Sequence, residues 1–505
     1  MASGASYHVD SEKGSDESHG LSPRKAWKTL TKASSATYRA GDRILLRRGT
    51  LFRGKLELKG AKGSEKAPIV IDAYGPGDEP PKIDSAGYIA GVAIEECEHV
   101  EARNVEITSD GGKEIDPPAR TDRYGILVLK SSHVAVDALR ISDVFATVQT
   151  KSEGKDKTTA YGHGVRLMDS DHLIVSDCVI EKVGRYGINA IRCQSVEVRD
   201  NRTDNTGCSG VQMSRCRDVV IRGNRFDHPG SFIDERMHGR GSGSWVWGCE
   251  NVLYEKNEFL NAKGKADSCG VHIDFNCRNV VVQRCFSMNN EGGFIEILGN
   301  DCNCAYRYNI SVNDGFRRKG KDGAHQEGKV LWLSGFCGAK NPPSGPFNSY
   351  IYNNTIYVKE DARSCFSISP TARGALVANN IFHLLGPTVD VLGDQKKYKA
   401  KRKNAKASNV VFMNNVYARD SVLPAGLRQW DSRAIVGDSG FSKPGGDRPE
   451  DYVPTNTEIL KDRGANIGKI PGDDIGLTIG LNMAKDFFGN PIEGAPDVGA
   501  VELQE

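Results

Sequence analysis

Three segments decide the fold: residues 164–175 read GVRLMDSDHLIV, residues 187–198 read GINAIRCQSVEV, and residues 210–221 read GVQMSRCRDVVI. Each begins with a glycine, 23 residues after the previous one, and Gly270 and Gly293 repeat that interval. Within each segment apolar and polar residues alternate, which is the periodicity of a β-strand. A repeat of this length predicts a solenoid in which every copy adds one coil to a continuous core.

Cysteine recurs at one position of the repeat. Five cysteines stand three residues before a valine that opens the next apolar run: Cys97, Cys193, Cys216, Cys249 and Cys277. The chain has 13 cysteines and no CxxC pair, whereas disulfide frameworks are typical of short secreted domains and zinc needs converging ligands. We therefore predict stacked, buried, reduced thiols that pack as small hydrophobes, and no metal site.

A second recurring position lies near the end of each repeat. It carries Asn201, Asn224, Asn257 and Asn309, with Cys178 and Cys285 in the same slot. A polar side chain repeated at one turn of successive coils can bond to its copies and to the turn backbone. This pattern predicts a structural asparagine ladder.

The two ends of the chain differ from the repeats. Residues 22–36 (SPRKAWKTLTKASSA) predict a short amphipathic capping helix, followed by the strand DRILLRRG at residues 42–49. From residue 421 onward Pro, Gly and Asp become frequent, which predicts a wrapping tail. We expect one domain over residues 1–505, with the cap and first coils in 1–90, central coils in 91–420 and the tail in 421–505; the lysine-rich segment 396–406 reads as a solvated loop.

The charge balance excludes some partners. Lys and Arg number 67 against 65 Asp and Glu, a formal charge of +2, so no global field favours nucleic acid or a membrane surface. No apolar run reaches the roughly 20 residues of a membrane span. The glycine-rich segments lack the Lys-Ser or Lys-Thr of a phosphate loop, and no cofactor is predicted.

The chain resembles the pectate-lyase-like superfamily of bacterial right-handed β-helix proteins. The resemblance covers YHVDSEKGSDESHGLSPRKAWKTL (7–30), GDRILLRRGTLF (41–52), PIVIDAYG (68–75), the central coils and DFFGNPIEGAPDVGAVE (486–502). It implies an all-β, right-handed parallel β-helix and a secreted or periplasmic protein. The superfamily contains polysaccharide lyases, glycoside hydrolases, uronan epimerases and adhesins, so the fold alone does not choose the reaction.

Outward-facing positions on the first strand of each coil form a polar stripe. Alternation places these residues on it: Arg166, Asn189, Gln212, Trp245, His272, Asp274 and Glu296. Polar side chains are ordinary on an exposed sheet face. Three ionisable groups on neighbouring coils, however, would shift one another's pKa values, as happens at catalytic sites.

His272, Asp274 and Glu296 are therefore the predicted catalytic residues. Parallel-strand geometry makes Asp274 and Glu296 diagonal neighbours at about 8 Å, a separation that fits an inverting glycosidase. Gly293 and Cys304 are eleven residues apart where other coils have nine, so a register slip would bring the carboxyls closer and permit a retaining mechanism. His272 would tune the acid or hold the sugar.

Substrate binding is predicted for the rest of the stripe and for two insertions. Arg166, Asn189, Gln212 and Trp245 face the expected groove, and an aromatic ring such as that of Trp245 can stack on a sugar. The insertion DHPGSFIDERMHGRG at residues 227–241 adds Asp234, Glu235 and His238. The insertion at residues 151–163 adds His163.

These residues favour a glycoside hydrolase that cleaves an anionic polysaccharide, either uronic or sulfated, with a sulfated fucan suggested by the resemblance alone. A lyase or epimerase on a uronan is the alternative, with Arg166 and His272 in the reaction and Arg236 and Arg240 supplying positive charge. A noncatalytic carbohydrate adhesin is the third hypothesis. The polysaccharide is the only partner predicted.

Overall fold

The computed structural model describes residues 4–111, 122–146, 161–391, 407–418 and 431–503. These residues form two compact units: one contains residues 1–220 and 230–239, and the other residues 221–229 and 240–505. The single-domain interpretation of residues 1–505 stays a prediction. Residues 151–160, 396–406 and 421–430, on which predictions were also made, lie outside the described residues.

The first unit is built from short parallel strands. In chain order they are β1 (Ser6–Val9), β2 (Arg43–Arg47), β3 (Leu51–Arg53), β4 (Leu56–Lys59), β5 (Ile69–Tyr74), β6 (Lys82–Asp84), β7 (Ala90–Glu95), β8 (Glu98–Arg103), β9 (Glu106–Asp110), β10 (Arg123–Leu129), β11 (Ser132–Asp137), β12 (Arg140–Phe145), β13 (Gly162–Met168), β14 (Asp171–Ser176), β15 (Val179–Val183), β16 (Ile188–Ile191), β17 (Gln194–Arg199), β18 (Arg202–Thr206), β19 (Val211–Ser214) and β20 (Arg217–Arg222), in which the division between units falls.

Every third strand of the first unit belongs to the same sheet. The first sheet contains β4, β7, β10, β13, β16 and β19; the second contains β1, β2, β5, β8, β11, β14, β17 and β20; the third contains β3, β6, β9, β12, β15 and β18. One coil therefore has three strands, and each strand pairs in parallel with its counterparts in the neighbouring coils. The glycine repeat marks the start of the first-sheet strand, as in the pairing of Val165 with Ile188 and of Ile188 with Val211.

The interior of each coil is apolar because alternate side chains point inward. Val165, Ile188 and Val211 are all fully buried. The predicted cysteine position is buried too, and all thirteen cysteines are free thiols. The burial predicted for these cysteines is thus confirmed.

The N-terminal cap is more broken than its sequence predicted. Residues 22–36 do not form one helix: a 3₁₀ turn spans Pro23–Lys25, and helix α1 spans only Leu30–Ser34, with the Thr29 hydroxyl accepting a hydrogen bond from the Lys32 N–H at 3.1 Å. Between them Trp27 is extended, forms a parallel bridge with Val9 and stacks on Tyr7 with ring centroids 5.0 Å apart. Pairing with β1 interrupts the helix.

The second unit repeats the three-strand coil. Its strands are β21 (Arg225–Asp227), β22 (Ser244–Trp247), β23 (Glu250–Glu255), β24 (Glu258–Leu260), β25 (Val271–Ile273), β26 (Arg278–Gln283), β27 (Phe286–Met288), β28 (Gly293–Ile297), β29 (Ala305–Arg307), β30 (Ile310–Val312), β31 (Lys329–Leu333), β32 (Phe347–Tyr352), β33 (Thr355–Val358), β34 (Ser364–Ile368), β35 (Arg373–Ala378), β36 (Ile381–Leu384), β37 (Thr388–Asp390), β38 (Ser408–Met413), β39 (Val416–Tyr417) and β40 (Ile435–Val436). Its first sheet contains β22, β25, β28, β31, β34 and β37.

The asparagine ladder is present in both units and is longer than predicted. In the first unit the Cys178 N–H donates to Asn201 Oδ1 at 3.0 Å. In the second unit the Asn309 side-chain amide donates to Asn354 Oδ1 at 2.9 Å, and the same bond recurs from Asn354 to Asn380. These buried amides satisfy the turn backbone, which is the structural role predicted for them.

The residues after the last coil form the predicted non-repetitive tail. They contain β40, a 3₁₀ turn at Pro449–Tyr452 and helix α2 (Thr457–Leu460). Asp473 accepts hydrogen bonds from the side chains of Asn303 and Tyr350, and the Asn353 amide donates to the carbonyl of Asp497 at 2.7 Å. Within the described residues, no helix is both long and apolar enough to cross a membrane.

Candidate active site

In the first unit the predicted polar stripe bonds to itself. Strand register places Arg166, Asn189 and Gln212 side by side on β13, β16 and β19. The Arg166 guanidinium donates to Asn189 Oδ1, and the Asn189 amide donates to Gln212 Oε1 and to the Gln212 carbonyl, the latter at 3.1 Å. Asn189 and Gln212 are buried. Substrate contact by these residues stays a prediction, while the bonds give both amides a structural role.

His163 lies beneath this row and is fully buried. Its ring sits between Tyr124 and Tyr186, with centroids 5.6 and 5.5 Å away, and its Nε2 is 3.2 Å from Asp122 Oδ2. Burial lowers the pKa of His163 to about 4. Burial would raise the pKa of Asp122, but the interaction with His163 outweighs it and lowers that pKa to about 2. A neutral imidazole therefore faces an ionised carboxylate at neutral pH.

The loop at residues 230–239 is fixed by Arg236 in the first unit. Arg236 pairs with Asp234 at 2.6 Å and lies over the Phe145 ring at 3.9 Å. His238 Nδ1 is 3.2 Å from the Tyr161 hydroxyl, and Glu235 is exposed. Of the predicted binding residues in this loop, His238 is thus held near Tyr161 and Asp234 is paired with Arg236.

In the second unit the structure brings the three predicted catalytic residues together. Trp245 pairs with His272, and Ile273 pairs with Ile297, which sets Glu296 opposite His272 and diagonal to Asp274. The register slip considered from the sequence does not occur between β25 and β28. The bridge between Cys269 and Gly293 has the same offset as the pairing of Ile273 with Ile297 and, after β28, of Val281 with Ala305. Gly293 therefore aligns with Cys269 and not with Gly270, and the register is constant through this coil.

The imidazole of His272 separates the two carboxyls. Its Nε2 is 3.8 Å from Asp274 Oδ1, and its Nδ1 is 3.8 Å from Glu296 Oε2. These contacts limit the separation between carboxyl oxygens to about 10 Å, compatible with the roughly 5–9.5 Å found in retaining and inverting glycosidases. The Trp245 indole stacks on His272 with centroids 5.5 Å apart and donates its N–H to Asp274 Oδ2 at 2.9 Å.

The side chains of this cluster face outward from their strands, but they are shielded from solvent. His272 and Glu296 are almost completely buried, yet both ring nitrogens of His272 and the Oε1 of Glu296 have no hydrogen-bond partner among the described residues. The other Glu296 oxygen contacts the Cys269 thiol at 2.7 Å. Buried polar atoms without partners are uncommon in folded proteins and cost free energy. Such atoms mark a place where a polar ligand can complete the bonding.

Burial and neighbouring charges shift the pKa values of Glu296 and His272. Burial raises the pKa of Glu296, although the neighbouring His272 charge opposes the shift. Burial would lower the pKa of His272, but the carboxylates of Glu296 and Asp274 outweigh it and raise that pKa to about 9. Burial thus shifts Glu296 toward its neutral form, while the surrounding carboxylates favour the imidazolium form of His272.

Asp267 is the functional candidate that the sequence analysis missed. It lies in the short connection before β25, outside the strand alternation on which the predictions relied. Its carboxylate pairs with the Arg240 guanidinium, with Nε to Oδ2 at 2.7 Å. Burial would raise the pKa of Asp267, but the charges of Arg240 and His272 outweigh it and lower that pKa. Asp267 is therefore an ionised carboxylate that acts electrostatically on His272.

A model of a known protein family matches the middle of this chain. The family is described as "Right handed beta helix region", and the matches cover residues 87–234 and 163–337. That match agrees with the three parallel sheets of each unit. Residues 87–337 thus contain a right-handed β-helix region of the kind that this family model describes.

Among curated proteins, the chain is 25% identical to a lacto-N-biosidase from Bifidobacterium longum, over 99% of this chain and 36% of that protein. The chain thus spans about a third of that relative's length. Among solved structures, a GH136 lacto-N-biosidase from Eubacterium ramulus has a TM-score of 0.54 and 19% identity, covering 77% of this chain and 67% of that one. The pectate lyase Pel9A matches with a TM-score of 0.47 and 13% identity, covering 100% and 98%.

Proposed function

We propose that this β-helix protein is a glycoside hydrolase whose catalytic groups are Asp267, His272, Asp274 and Glu296 in the second unit. One observation carries the proposal. Glu296, a buried carboxyl with a raised pKa, lies 3.8 Å from the imidazolium of His272, whose charge helps Arg240 to lower the pKa of Asp267. Buried polar atoms of His272 and Glu296 have no hydrogen-bond partner among the described residues. Environments that push two carboxyls apart in pKa are how glycosidases separate the acid from the carboxylate.

Glu296 is the general acid in this proposal, because burial raises the pKa of its carboxyl. Asp267 and Asp274 are the carboxylates that face the sugar, since their side chains are 15% and 8% exposed against 2% for Glu296. One of them attacks the anomeric carbon or activates water, and the other stabilises the positive charge of the transition state. His272 holds the three carboxyls in place through its charge.

The similarity to lacto-N-biosidases supports an oligosaccharide as the substrate. An anionic glycan, uronic or sulfated and of the fucan type, is the second candidate, and one feature of the first unit favours it. The Arg185 guanidinium lies over the rings of Tyr161 and Tyr186, at 5.1 and 4.8 Å, and its buried Nε has no hydrogen-bond partner in the described part of the chain. An arginine held by aromatic rings can bind a carboxylate or sulfate. Secretion or export to the periplasm remains part of the proposal.

The test assays a panel of neutral, uronic and sulfated glycans for new reducing ends and for the ultraviolet absorbance of unsaturated products. A hydrolase gives reducing ends without absorbance. The same chain with Glu296→Gln should lose activity on natural glycans but keep most of its rate on a nitrophenyl glycoside, whose leaving group needs no acid. Absorbance that rises with the reducing ends would replace the proposal by a lyase; silence across the panel would leave an epimerase or an adhesin.

A further inference from the structure

Three imidazoles stack on the outer face of the second sheet in the first unit. His99, His133 and His172 occupy the second residue of β8, β11 and β14. Their ring centroids are 4.4 Å apart at both steps, and the rings of His133 and His172 are within 3° of parallel. This histidine ladder lies outside the candidate active site.

The backbone at this position makes histidine a notable choice. All three residues have left-handed backbone angles, with φ of 52°, 54° and 51°. The second unit has the same conformation at the second residue of β23 and β26, and there it uses Asn251 and Asn279. Asparagine and histidine are both enriched at positive φ, so either meets the backbone requirement. The imidazoles add nitrogen donors that the amides do not supply.

A carboxylate completes a set of ligand atoms beside two of these rings. Strand register pairs Ser132 with Asp171, so Asp171 lies next to His133 across the strands. Asp171 Oδ1 is 2.6 Å from His172 Nδ1, and one ligand atom from each of His133, Asp171 and His172 lies within 4.8 Å of the others.

We propose that His133, Asp171 and His172 bind a divalent transition-metal cation, with Zn²⁺, Cu²⁺ and Ni²⁺ as the matching class. Imidazole nitrogen and carboxylate oxygen are the donors these ions take, and three protein ligands leave a position for water. The side chains of Asp171 and His172 are about half exposed, so the rings can turn out of their stack toward one ion. This proposal is independent of the hydrolase assignment and departs from the prediction of no metal site.

A bound ion would join β11 to β14, which are separate in sequence but adjacent in the sheet. Because the ligands meet only in the folded chain, binding would stabilise the fold by mass action. The site would therefore act as a clamp between two coils of the first unit.

The experiment titrates the full chain, with its thiols reduced, with Zn²⁺ by calorimetry and with Cu²⁺ by electron paramagnetic resonance. We expect one ion per chain, nitrogen hyperfine coupling from Cu²⁺, and a higher Tm with Zn²⁺. His133→Gln should weaken binding at least tenfold and abolish the Tm shift, and Asp171→Asn should weaken it several-fold. His325→Gln, an exposed histidine elsewhere, is the matched control and should leave both unchanged.

Two results would overturn the site: no binding above that of the His133→Gln variant, or Co²⁺ spectra with thiolate charge-transfer bands, which would place the ion on cysteine. Circular dichroism of each variant checks that the fold is intact, since these exposed side chains make no contact that folding requires.

Discussion

The outer row of the first sheet differs between the two units. In the first unit Arg166, Asn189 and Gln212 bond to one another, and the two buried amides have donors and acceptors paired. In the second unit the same position carries His272 and Glu296, equally buried, with three polar atoms that have no partner among the described residues. One backbone position thus carries a largely closed network in one unit, where Arg166 Nε is the atom of the row left without a described partner, and an open network in the other.

The difference shows that burial of polar groups does not by itself identify a site. Both rows are polar and both are buried, so only the bonding state separates them. A satisfied network stabilises the coil, whereas an unsatisfied one costs free energy that a ligand can recover. The predictions below test that distinction.

The largest effect on activity is expected from Asp267 and Asp274, the carboxylates of the candidate active site. Asp274→Asn and Asp267→Asn should each lower kcat at least about 10³-fold, because the transition-state charge loses a carboxylate. Steady-state kinetics on the best glycan of the panel measures this. Added azide should restore part of the rate in the variant that lost the attacking carboxylate. Activity within tenfold of the parent chain in both variants would end the hydrolase assignment.

The second effect is on stability against pH. The pKa of His272 is raised from 6.5 to about 9, so the protonated imidazole stabilises the fold fully below pH 6.5 and this contribution is lost as the pH rises through 9. Up to about 3 kcal/mol of the free energy of unfolding should disappear across that window. His272→Gln should flatten the dependence, as measured by urea unfolding at pH 6.5, 8 and 9.5. An unchanged slope in the variant would contradict the charge assigned to His272.

Changes in the row formed by Arg166, Asn189 and Gln212 should alter the stability of the fold and leave the catalytic rate nearly unchanged. Asn189→Ala removes the partner of both Arg166 and Gln212, and we expect it to cost about 1–3 kcal/mol of unfolding free energy. The kcat should stay within twofold of the parent value. A loss of kcat comparable to that of Asp274→Asn would contradict the purely structural role given to Asn189.

The smallest effect on activity is expected at Trp245, whose ring stacks on His272. Trp245→Phe keeps a ring over His272 but removes the N–H that donates to Asp274 at 2.9 Å. A three- to tenfold fall in kcat/KM is expected, about the value of one hydrogen bond. Kinetics beside Trp247→Phe, the other tryptophan of β22, separates this bond from a general loss of indole.

Much of the fold could be predicted from local patterns. The alternation and the glycine interval fixed which residues face inward, and the cysteine and asparagine positions predicted two ladders that the structure contains. The capping helix is shorter than the predicted residues 22–36 because Trp27 pairs with Val9. Helical periodicity is local, whereas that pairing brings together residues separated in the chain.

The candidate site was likewise predicted only in part from the sequence. Strand periodicity determined from sequence alone that His272, Asp274 and Glu296 share one face, because the side-chain period of a strand is two. Only the tertiary structure decided that this face is buried, that its register does not slip, and that Asp267 joins the cluster beside Arg240. Burial and the paths of connections between coils depend on packing between coils, which no periodic pattern encodes.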